Sequence, residues 1–420
     1  MNYNEAIEYI HSIPKFNRIL GNDLLNILLD KMGRPDNKLK FIHIGGTNGK
    51  GSISTMTAEI LKRAGYKVGL FTSPYLEYFN ERIRINGVPI SNSDLAGTVE
   101  YVKNISERFD AGVSEFAFDT AVAFEYFARN HCDFVVLEVG LGGKLDATNV
   151  IKSPVAIGFG AIGLDHCQYL GDTVDEISRD KFGIIKQNSN VVLYPIQEEV
   201  VFNNAKEFCT DKNSRLIIPK SGELTDIQYE SNSFKYKNQS YSLAMKGEFQ
   251  IYNAITAIEI IGAVSNQGYN ISAEAVTEGL KWAKIDGRLD YINDNLVIDG
   301  AHNPQAVKAL LGELKKSGRN IHFLTAVMED KDYGSIVNLI ADFAAENSSV
   351  VTATEVDMPR CLNCDKLKHE FEKRGIKASA VKPANLALNA VQSEIKNSTD
   401  ILICVCGSLY LAGEIKRNIT

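Results

Sequence analysis

Short runs of consecutive apolar residues alternate with longer helical segments, and this alternation restricts the fold more than any other feature of the chain. Residues 39–44, 132–139 and 154–161 are nearly continuous apolar runs, whereas residues 117–129 have the periodicity of a helix. A strand that is apolar on both faces needs a helical layer on each side of its sheet. The N-terminal part is therefore predicted to be a doubly wound α/β domain with a mostly parallel sheet.

The same pattern continues along the chain and restarts once. Before residue 285 we further expect a helix at residues 52–64 and a strand at 67–71. An antiparallel excursion at 217–243 and two helices at 252–264 and 272–283 should follow. After it we expect strands at 295–298, 321–327, 349–354 and 401–406, with helices at 304–315, 335–344 and 409–416. A chain of 420 residues exceeds the usual size of one hydrophobic core. We therefore predict one domain over residues 1–284 and a smaller, Rossmann-like α/β domain over residues 285–420.

The composition excludes several classes of protein. Lys and Arg number 45 against 52 Asp and Glu, a formal net charge of −7, so no basic face for nucleic acid is expected. Residues 1–15 are polar, unlike a signal peptide, and no apolar run reaches the length of a membrane span. The seven cysteines follow no disulfide spacing. We expect a cytoplasmic protein that binds neither nucleic acid nor a membrane.

A glycine-rich segment separates the first strand from its helix and reads Gly45-Gly46-Thr47-Asn48-Gly49-Lys50-Gly51-Ser52. Glycines let backbone N–H groups converge on a phosphate, and the N-terminus of the following helix attracts anions. Strict P-loop spacing asks for glycine where Ile44 stands and for Ser or Thr where Gly51 stands. A turn with a solvated lysine is the alternative. The strand before and the helix after favour a variant P-loop that binds ATP, so the first domain is predicted to be a P-loop ATPase domain.

Three more side chains stand at or near the ends of strands. Glu138 ends the apolar run 132–139, where a carboxylate is costly unless it faces a cation, such as magnesium on the ATP phosphates. Its alternative role is to cap a backbone turn. His166 and Lys181 follow the next strand; by themselves they are most often a structural histidine and a surface lysine. Ligands of doubly wound sheets bind beyond the carboxyl ends of the strands, which favours a place in the site for Glu138 and His166.

Several segments resemble signatures of the folylpolyglutamate synthase and dihydrofolate synthase family, within the Mur ligase superfamily. The phosphate loop resembles the family's variant P-loop, and Leu137-Glu138-Val139-Gly140-Leu141-Gly142-Gly143-Lys144-Leu145-Asp146-Ala147-Thr148-Asn149 resembles a second signature. Further matching segments are Thr72-Ser73-Pro74-Tyr75-Leu76, Asn80-Glu81-Arg82-Ile83, Gly163-Leu164-Asp165-His166, Leu170-Gly171-Asp172-Thr173, Lys181-Phe182-Gly183-Ile184, Gly247-Glu248-Phe249-Gln250-Ile251-Tyr252-Asn253-Ala254, Gly287-Arg288-Leu289-Asp290, Asp299-Gly300-Ala301-His302-Asn303-Pro304, Asp330-Lys331-Asp332 and Cys406-Gly407-Ser408-Leu409-Tyr410. Four residues depart from the family's usual ones, namely Tyr75, Lys144, Phe182 and Phe249.

The resemblance implies roles for residues of the first domain. The ATP contacts would be Asn48, Gly49, Lys50, Gly51, Ser52 and Asn253. Magnesium would be held by Ser73, Glu138 and His166. A carbamylated Lys181 would hold a second metal ion, with Phe182 as a crowding neighbour. The substrate contacts would be Ser114, Glu115, Phe116, Leu145 and Ala147.

The resemblance also implies roles in the second domain. Arg288 would reach the γ-phosphate of ATP, although without the resemblance a solvated linker arginine is the better interpretation. Asp299 would accept a hydrogen bond from a ribose hydroxyl of ATP. His302 would join Lys50, Lys181 and Arg288 as a catalytic residue.

The activity implied is ATP-dependent ligation of L-glutamate to the terminal γ-carboxylate of a folate through an acyl phosphate. ATP and magnesium, at two sites, would serve a monomer whose substrates are L-glutamate and either a folate or dihydropteroate. Residues 16–25 differ from the Ile-Asp-Leu-Gly-Leu-type segment that some bifunctional relatives use for the pteroate, which favours glutamate-chain extension over dihydrofolate synthesis. Two alternatives remain, a Mur-type cell-wall amino-acid ligase and a non-catalytic nucleotide-sensing module.

Overall fold

A computed structural model describes residues 1–15, 21–109, 112–229, 231–395 and 400–419. Residues 16–20, which belong to the segment weighed for pteroate binding, lie outside the described part. The chain forms two compact units. The first comprises Met1–Gly163, Leu170–Ala244 and Gln250–Lys284, and the second comprises Leu164–Tyr169, Met245–Phe249 and Ile285–Thr420.

The described helices and strands alternate along the chain. Up to residue 284 they are α1 (Tyr3–Ser12), α2 (Asp23–Lys31), β1 (Phe41–Gly45), α3 (Lys50–Arg63), β2 (Val68–Phe71), β3 (Ile83–Ile85), β4 (Val88–Pro89), α4 (Asn92–Arg108), α5 (Glu115–Arg129), β5 (Phe134–Glu138), β6 (Ala156–Phe159), α6 (Cys167–Leu170), α7 (Val174–Phe182), β7 (Asn190–Leu193), α8 (Glu199–Asp211), β8 (Arg215–Ile217), β9 (Leu224–Gln228), β10 (Ser233–Tyr236), β11 (Gln239–Ser242), α9 (Glu248–Ser265) and α10 (Ala273–Trp282). Beyond it they are β12 (Asp290–Asn293), β13 (Leu296–Ile298), α11 (Pro304–Lys316), β14 (Asn320–Thr325), α12 (Tyr333–Glu346), β15 (Val350–Ala353), α13 (Cys364–Glu372), β16 (Ala378–Ala380), α14 (Ala384–Glu394), β17 (Ile401–Cys406) and α15 (Leu409–Ile419). Among the described residues, no helix combines the length and the apolar character that a membrane crossing requires.

The first unit is built on an eight-stranded sheet in the order β4-β3-β2-β5-β1-β6-β7-β8. The strands from β2 to β8 in that order run parallel, and β3 and β4 add an antiparallel edge. Every residue of β1 and β5 is buried, as expected for strands that helices cover on both faces. Because β1, β2, β5 and β6 are parallel, their carboxyl ends share one edge, and the phosphate loop follows β1 there.

The second unit contains a six-stranded sheet in the order β12-β13-β17-β14-β15-β16. Only β12 pairs antiparallel within it. Its apolar core includes Val297, Leu310, Phe323, Ile340 and Cys404. The segment Asp299–His302 follows β13 and therefore lies at the carboxyl edge of this sheet.

The predicted α/β fold with a mostly parallel first sheet and a second, smaller sheet is confirmed. The expected excursion at 217–243 is the antiparallel sheet β11-β10-β9. The helix expected from residue 252 begins earlier, at Glu248. Residues 164–169 and 245–249 group with the second unit, whereas the sequence pattern assigned them to the first domain. Hydrophobic periodicity cannot report this, because the grouping depends on contacts between residues far apart in the chain, among them the ion pair between Glu248 and Lys316, 2.9 Å apart.

Candidate nucleotide and substrate site

The phosphate loop requires glycine at specific positions. Gly49 precedes α3 with a φ of 84°, and a Cβ added there would lie 2.5 Å from Asn253 Oδ1. Gly46 has a φ of 126°, and a Cβ added there would lie 2.9 Å from Gly160 N. Side chains at these positions would combine backbone strain with steric overlap. The loop therefore passes close to β6 and to α9, where Asn253 lies against Gly49; the contact of Asn253 with ATP stays a prediction.

The loop is also held by hydrogen bonds to the segment after β6. The backbone N–H groups of Thr47 and Asn48 both donate to Ala161 O, each over 2.9 Å. Lys50 Nζ donates to Gly46 O over 3.2 Å and to Thr47 O over 3.1 Å, and Ser52 is buried in the first turn of α3. The arrangement places an ammonium group and the N-terminus of a 14-residue helix beside one loop. A phosphate chain fits these two sources of positive charge.

Glu138 and Ser73 meet at the ends of β5 and β2. Glu138 is only 4% exposed, and its Oε2 accepts a hydrogen bond from Ser73 N over 3.1 Å. A buried carboxylate and a serine hydroxyl are hard oxygen donors of the kind that magnesium prefers. These two residues of the predicted magnesium set therefore lie together, and their chemistry fits the ion.

Lys181 reaches the phosphate loop from α7. It is 5% exposed, and its Nζ donates to Gly46 O over 3.1 Å. The ring of Phe182 packs in the core against Phe159 and Phe208, at centroid distances of 4.9 Å and 5.9 Å. Lys181 is therefore a buried lysine at the loop, rather than the surface lysine that the sequence alone would favour.

The predicted substrate contacts fall on two segments of the first unit. Ser114 caps α5 by accepting from Ala117 N over 3.4 Å, and the ring of Phe116 lies 5.7 Å from that of Phe71. Leu145 is 52% exposed, whereas Ala147 is buried. Both belong to the segment 141–149, in which Leu145 is an exposed apolar side chain.

That segment is held in place by Asp146. Its Oδ2 accepts from Leu141 N over 2.8 Å, and its Oδ1 accepts from Thr148 N over 3.0 Å. Burial raises the pKa of Asp146, and these hydrogen bonds oppose the increase. Asp146 received no role from the sequence, although it stands inside the quoted Leu-Asp-Ala-Thr-Asn signature.

Asp299 organises the loop after β13 in the second unit. Its Oδ2 accepts from Leu289 N over 2.7 Å, and its Oδ1 accepts from Ala301 N over 2.8 Å. Burial raises the pKa of Asp299, and the charge of Arg288 opposes the increase. Arg288 lies beside it, because a Cβ added to Gly300 would be 3.4 Å from Arg288 Nη1. Asp299 thus has a structural task in addition to its predicted contact with ribose.

Four polar side chains of the second unit surround Asp165. Lys331 Nζ donates to Asp165 Oδ1 over 2.6 Å, and Asn303 Nδ2 donates to Asp165 Oδ2 over 3.1 Å. His302 Nε2 lies 3.7 Å from Asp165 Oδ2, and His166 Nε2 lies 3.1 Å from Lys331 Nζ. Burial disfavours the charge on Asp165, but His302, Lys331 and His166 outweigh it and hold the pKa far below its usual range. Asp165 and Lys331 received no role from the sequence, although both stand in quoted family segments.

The predicted magnesium ligands divide between the two units. Ser73 and Glu138 belong to the first and His166 to the second. Within the described ranges, no three His, Cys, Asp or Glu side chains cluster as a metal site. The assignment of His166 to magnesium stays a prediction.

Comparison with known families gives two matches that together span most of the chain. Residues 44–261 match the Mur ligase middle domain, and residues 284–418 match the C-terminal domain of dihydrofolate synthetase. The folylpolyglutamate synthase of Lacticaseibacillus casei is 30% identical, over 100% of this chain and 99% of that protein. The dihydrofolate synthase/folylpolyglutamate synthase of Bacillus subtilis is also 30% identical, over 99% of each.

Solved structures agree with these matches. Folylpolyglutamate synthase of Mycobacterium tuberculosis, complexed with ADP and AMPPCP, superposes with a TM-score of 0.88 at 26% identity, covering 99% of this chain and 98% of that one. The two family matches, the full-length relatives and the shared architecture all point to the same assignment. This chain belongs to the folylpolyglutamate synthase and dihydrofolate synthase family.

Proposed function

We propose that this protein is an ATP-dependent ligase that joins L-glutamate to the terminal γ-carboxylate of a folate through an acyl phosphate. The phosphate loop carries the proposal, because Lys50, Lys181 and the N-terminus of α3 converge on it. Full-length relatives named folylpolyglutamate synthase support the choice of folate and glutamate as substrates. The same relatives argue against a cell-wall ligase and against a module that only senses nucleotide.

Activation of the carboxylate is the chemical problem that this site solves. A carboxylate and an amine do not condense in water, so the γ-phosphoryl group of ATP passes first to the folate carboxylate. The amine of glutamate then attacks the acyl carbon, and phosphate leaves. Lys50 neutralises charge on the transferring phosphoryl group, and Arg288 supplies a second cation to it. Catalysis therefore consists mainly of positioning and charge stabilisation.

Magnesium belongs to the proposal as an ion held by Ser73, Glu138 and His166. When bound, it neutralises phosphate charge and polarises the phosphoryl oxygens. Glu138 supplies the buried negative charge that such an ion requires. A carbamate on Lys181 would supply a second anionic ligand. The buried position of that lysine supports the idea, because a carbamate forms on the neutral amine and burial disfavours the ammonium.

Glutamate-chain extension is the main activity in this proposal, with dihydrofolate synthesis as a second reaction. The family match of residues 284–418 to dihydrofolate synthetase favours the second reaction, as does the two-part name of the Bacillus subtilis relative. Dihydropteroate would then replace the folate as the acceptor. The carboxylate activation would be the same.

The chain is proposed to work as a cytoplasmic monomer. The described cysteines form no disulfide, as is usual for proteins of a reducing compartment. Light scattering on the purified protein measures its molar mass in solution. The mass of a dimer would contradict the proposed monomer.

The decisive experiment follows the release of ADP by purified protein with ATP and magnesium. We expect release only when both glutamate and an acceptor are present, with tetrahydrofolate and dihydropteroate compared as acceptors. Mass spectrometry of the product should show the addition of one glutamyl residue. Release without any acceptor, or with a UDP-muramoyl acceptor in place of the folate, would contradict the proposal.

A further inference from the structure

Arg82 and Asp119 form a buried charge pair in the first unit. Arg82 ends the short 3₁₀ turn Phe79–Arg82, and Asp119 lies on α5. Arg82 Nε and Asp119 Oδ2 are 3.9 Å apart, and the two side chains are 13% and 1% exposed. That distance is too long for a hydrogen bond. Among the described residues, Asp119 Oδ1 and Arg82 Nε and Nη1 have no hydrogen-bond partner.

Stability alone does not account for such a pair. Moving two charges out of water costs several kcal/mol for each ion, and their attraction repays this only with good hydrogen-bond geometry. Unsatisfied buried polar atoms are rare in native proteins and call for another explanation. The position of each partner supplies one.

Arg82 packs along one side of residues 72–82, which we call the Ser73 loop. Its guanidinium lies over the rings of Tyr75 and Phe79, 5.2 Å and 5.5 Å from the ring centroids. Its backbone carbonyl accepts from Thr72 N over 3.0 Å. The loop also contains Ser73, whose N–H donates to Glu138. Arg82, the last residue of the loop, therefore contacts the first residue, Thr72, and two rings between them. The same loop reaches the predicted magnesium ligands.

Asp119 lies on α5, the helix whose first residues were predicted to contact the substrate. It lies one helical turn beyond Glu115 and Phe116, at the spacing that places side chains on one face of α5. Phe116 in turn packs near Phe71 at the end of β2, directly before the Ser73 loop. The pair of Arg82 and Asp119 thus connects the Ser73 loop to the N-terminal turn of α5.

We propose that Asp119 is a positioning residue for the folate substrate, holding Arg82 and, through it, the Ser73 loop against the N-terminal turn of α5. The inference rests on the proposed function of the site. Loss of the carboxylate charge frees the guanidinium to leave the rings of Tyr75 and Phe79. The Ser73 loop and the N-terminal turn of α5 then lose their fixed arrangement. The phosphate loop, in contrast, keeps its backbone hydrogen bonds to Ala161. The KM for folate should rise, and the KM for ATP should not.

The pair also carries a pH signature. Burial raises the pKa of Asp119 to about 7; Arg82 opposes the increase, and Glu115 adds to it. Among the described residues, Arg82 and Glu115 are the charged groups that act on this carboxyl group. Asp119 is therefore charged above pH 7 and neutral below it, so the KM for folate should rise as the pH falls through 7.

The test compares Asp119→Asn with Glu125→Gln as the matched control. Glu125 lies on the same helix, is also buried, and pairs with Arg129 over 2.6 Å. Asp119→Asn should raise the KM for tetrahydrofolate on the order of tenfold, the effect of losing one charge-assisted contact. It should also remove the rise of KM below pH 7. Glu125→Gln should leave both quantities at the wild-type values.

A second variant covers the case in which Asp119→Asn does not fold, as judged by circular dichroism and thermal unfolding. Arg82→Lys keeps the charge but loses the planar group that covers both rings, and it should raise the same KM. A folded Asp119→Asn or Arg82→Lys protein with wild-type KM and pH profile would overturn the inference. Wild-type protein that ligates no glutamate to tetrahydrofolate would instead overturn the proposed function, so the two failures are distinct.

Discussion

Lys181 donates a hydrogen bond from Nζ to the carbonyl oxygen of Gly46, over 3.1 Å and across 135 positions of the chain. The contact joins α7 to the phosphate loop. A buried ammonium at this place adds positive charge next to the loop, whereas a carbamate on the same nitrogen would reverse that charge. As an ammonium, Lys181 would attract a phosphate oxygen, whereas as a carbamate it would attract a metal ion.

Substitution of Lys181 separates these two states. Lys181→Ala should lose most of the ligase activity, and small carboxylic acids should restore part of it if the native residue is a carbamate. Lys186→Ala is the control, since Lys186 is also partly buried and donates to a backbone carbonyl, Asn149 O, over 3.0 Å. A density map of the protein with magnesium and ATP that showed a bare ammonium at Lys181 would refute the carbamate.

Substitution of Lys50 tests the phosphate loop. Lys50→Ala should reduce turnover on the order of a hundredfold or more, because a charge contact to the transferring phosphoryl group is lost. The fold should persist, since the Lys50 side chain contacts loop carbonyls rather than the core. Lys62→Ala, near the other end of α3, is the matched control and should keep normal turnover. Normal turnover with Lys50→Ala would remove the loop from the mechanism.

The magnesium requirement tests Glu138 and His166. Glu138→Gln keeps an acceptor for Ser73 N but loses the negative charge, and His166→Ala removes the ring. Each variant should need more magnesium for half-maximal activity than the wild type, because each loses one ligand. The measurement is activity against magnesium concentration. Two curves that coincide with the wild-type curve would show that the ion is bound elsewhere.

The stability of the first unit at acid pH tests whether His43 has the low pKa that its burial implies. Burial lowers the pKa of His43 from 6.5 to about 3, and the charge of Lys186 contributes to the decrease. The unfolded state therefore binds more protons than the folded state between these values, and stability is lost as the pH falls below 6.5. By pH 5 the loss from this residue is roughly 2 kcal/mol.

His43→Gln isolates this contribution. His43 Nε2 lies 2.8 Å from Thr148 Oγ1, and an amide can donate to the same oxygen without titrating. Denaturant unfolding at pH 7 and pH 5 should show a smaller loss of stability in the variant than in the wild type. An equal loss in both proteins would mean that His43 does not titrate as its burial requires.

Local signals in the sequence predicted much of this molecule. The apolar runs that form β1, β5 and β6 are continuous because helices cover both faces of those strands. Composition alone therefore identifies the three strands. The glycines of the phosphate loop are recognisable because the turn and its close approach to Gly160 exclude side chains. The antiparallel edge strands β3 and β4 were not predicted, since strands of three and two residues are too short for a pattern.

Sequence patterns were sufficient for the α/β class, the phosphate loop and the family, because each depends on residues that are neighbours in the chain. Which distant side chains meet depends instead on how the chain packs. The order β2-β5-β1-β6 cannot be read from strands that are all equally apolar, yet it places Glu138 beside Ser73. The contact of Lys331 with Asp165, 166 positions apart, and the pair of Arg82 with Asp119 depend in the same way on packing that periodicity does not encode. Burial raises the pKa of Asp119, and neighbouring cations lower that of Asp165, since the pKa of a carboxyl group depends on its surroundings and not on its place in the sequence.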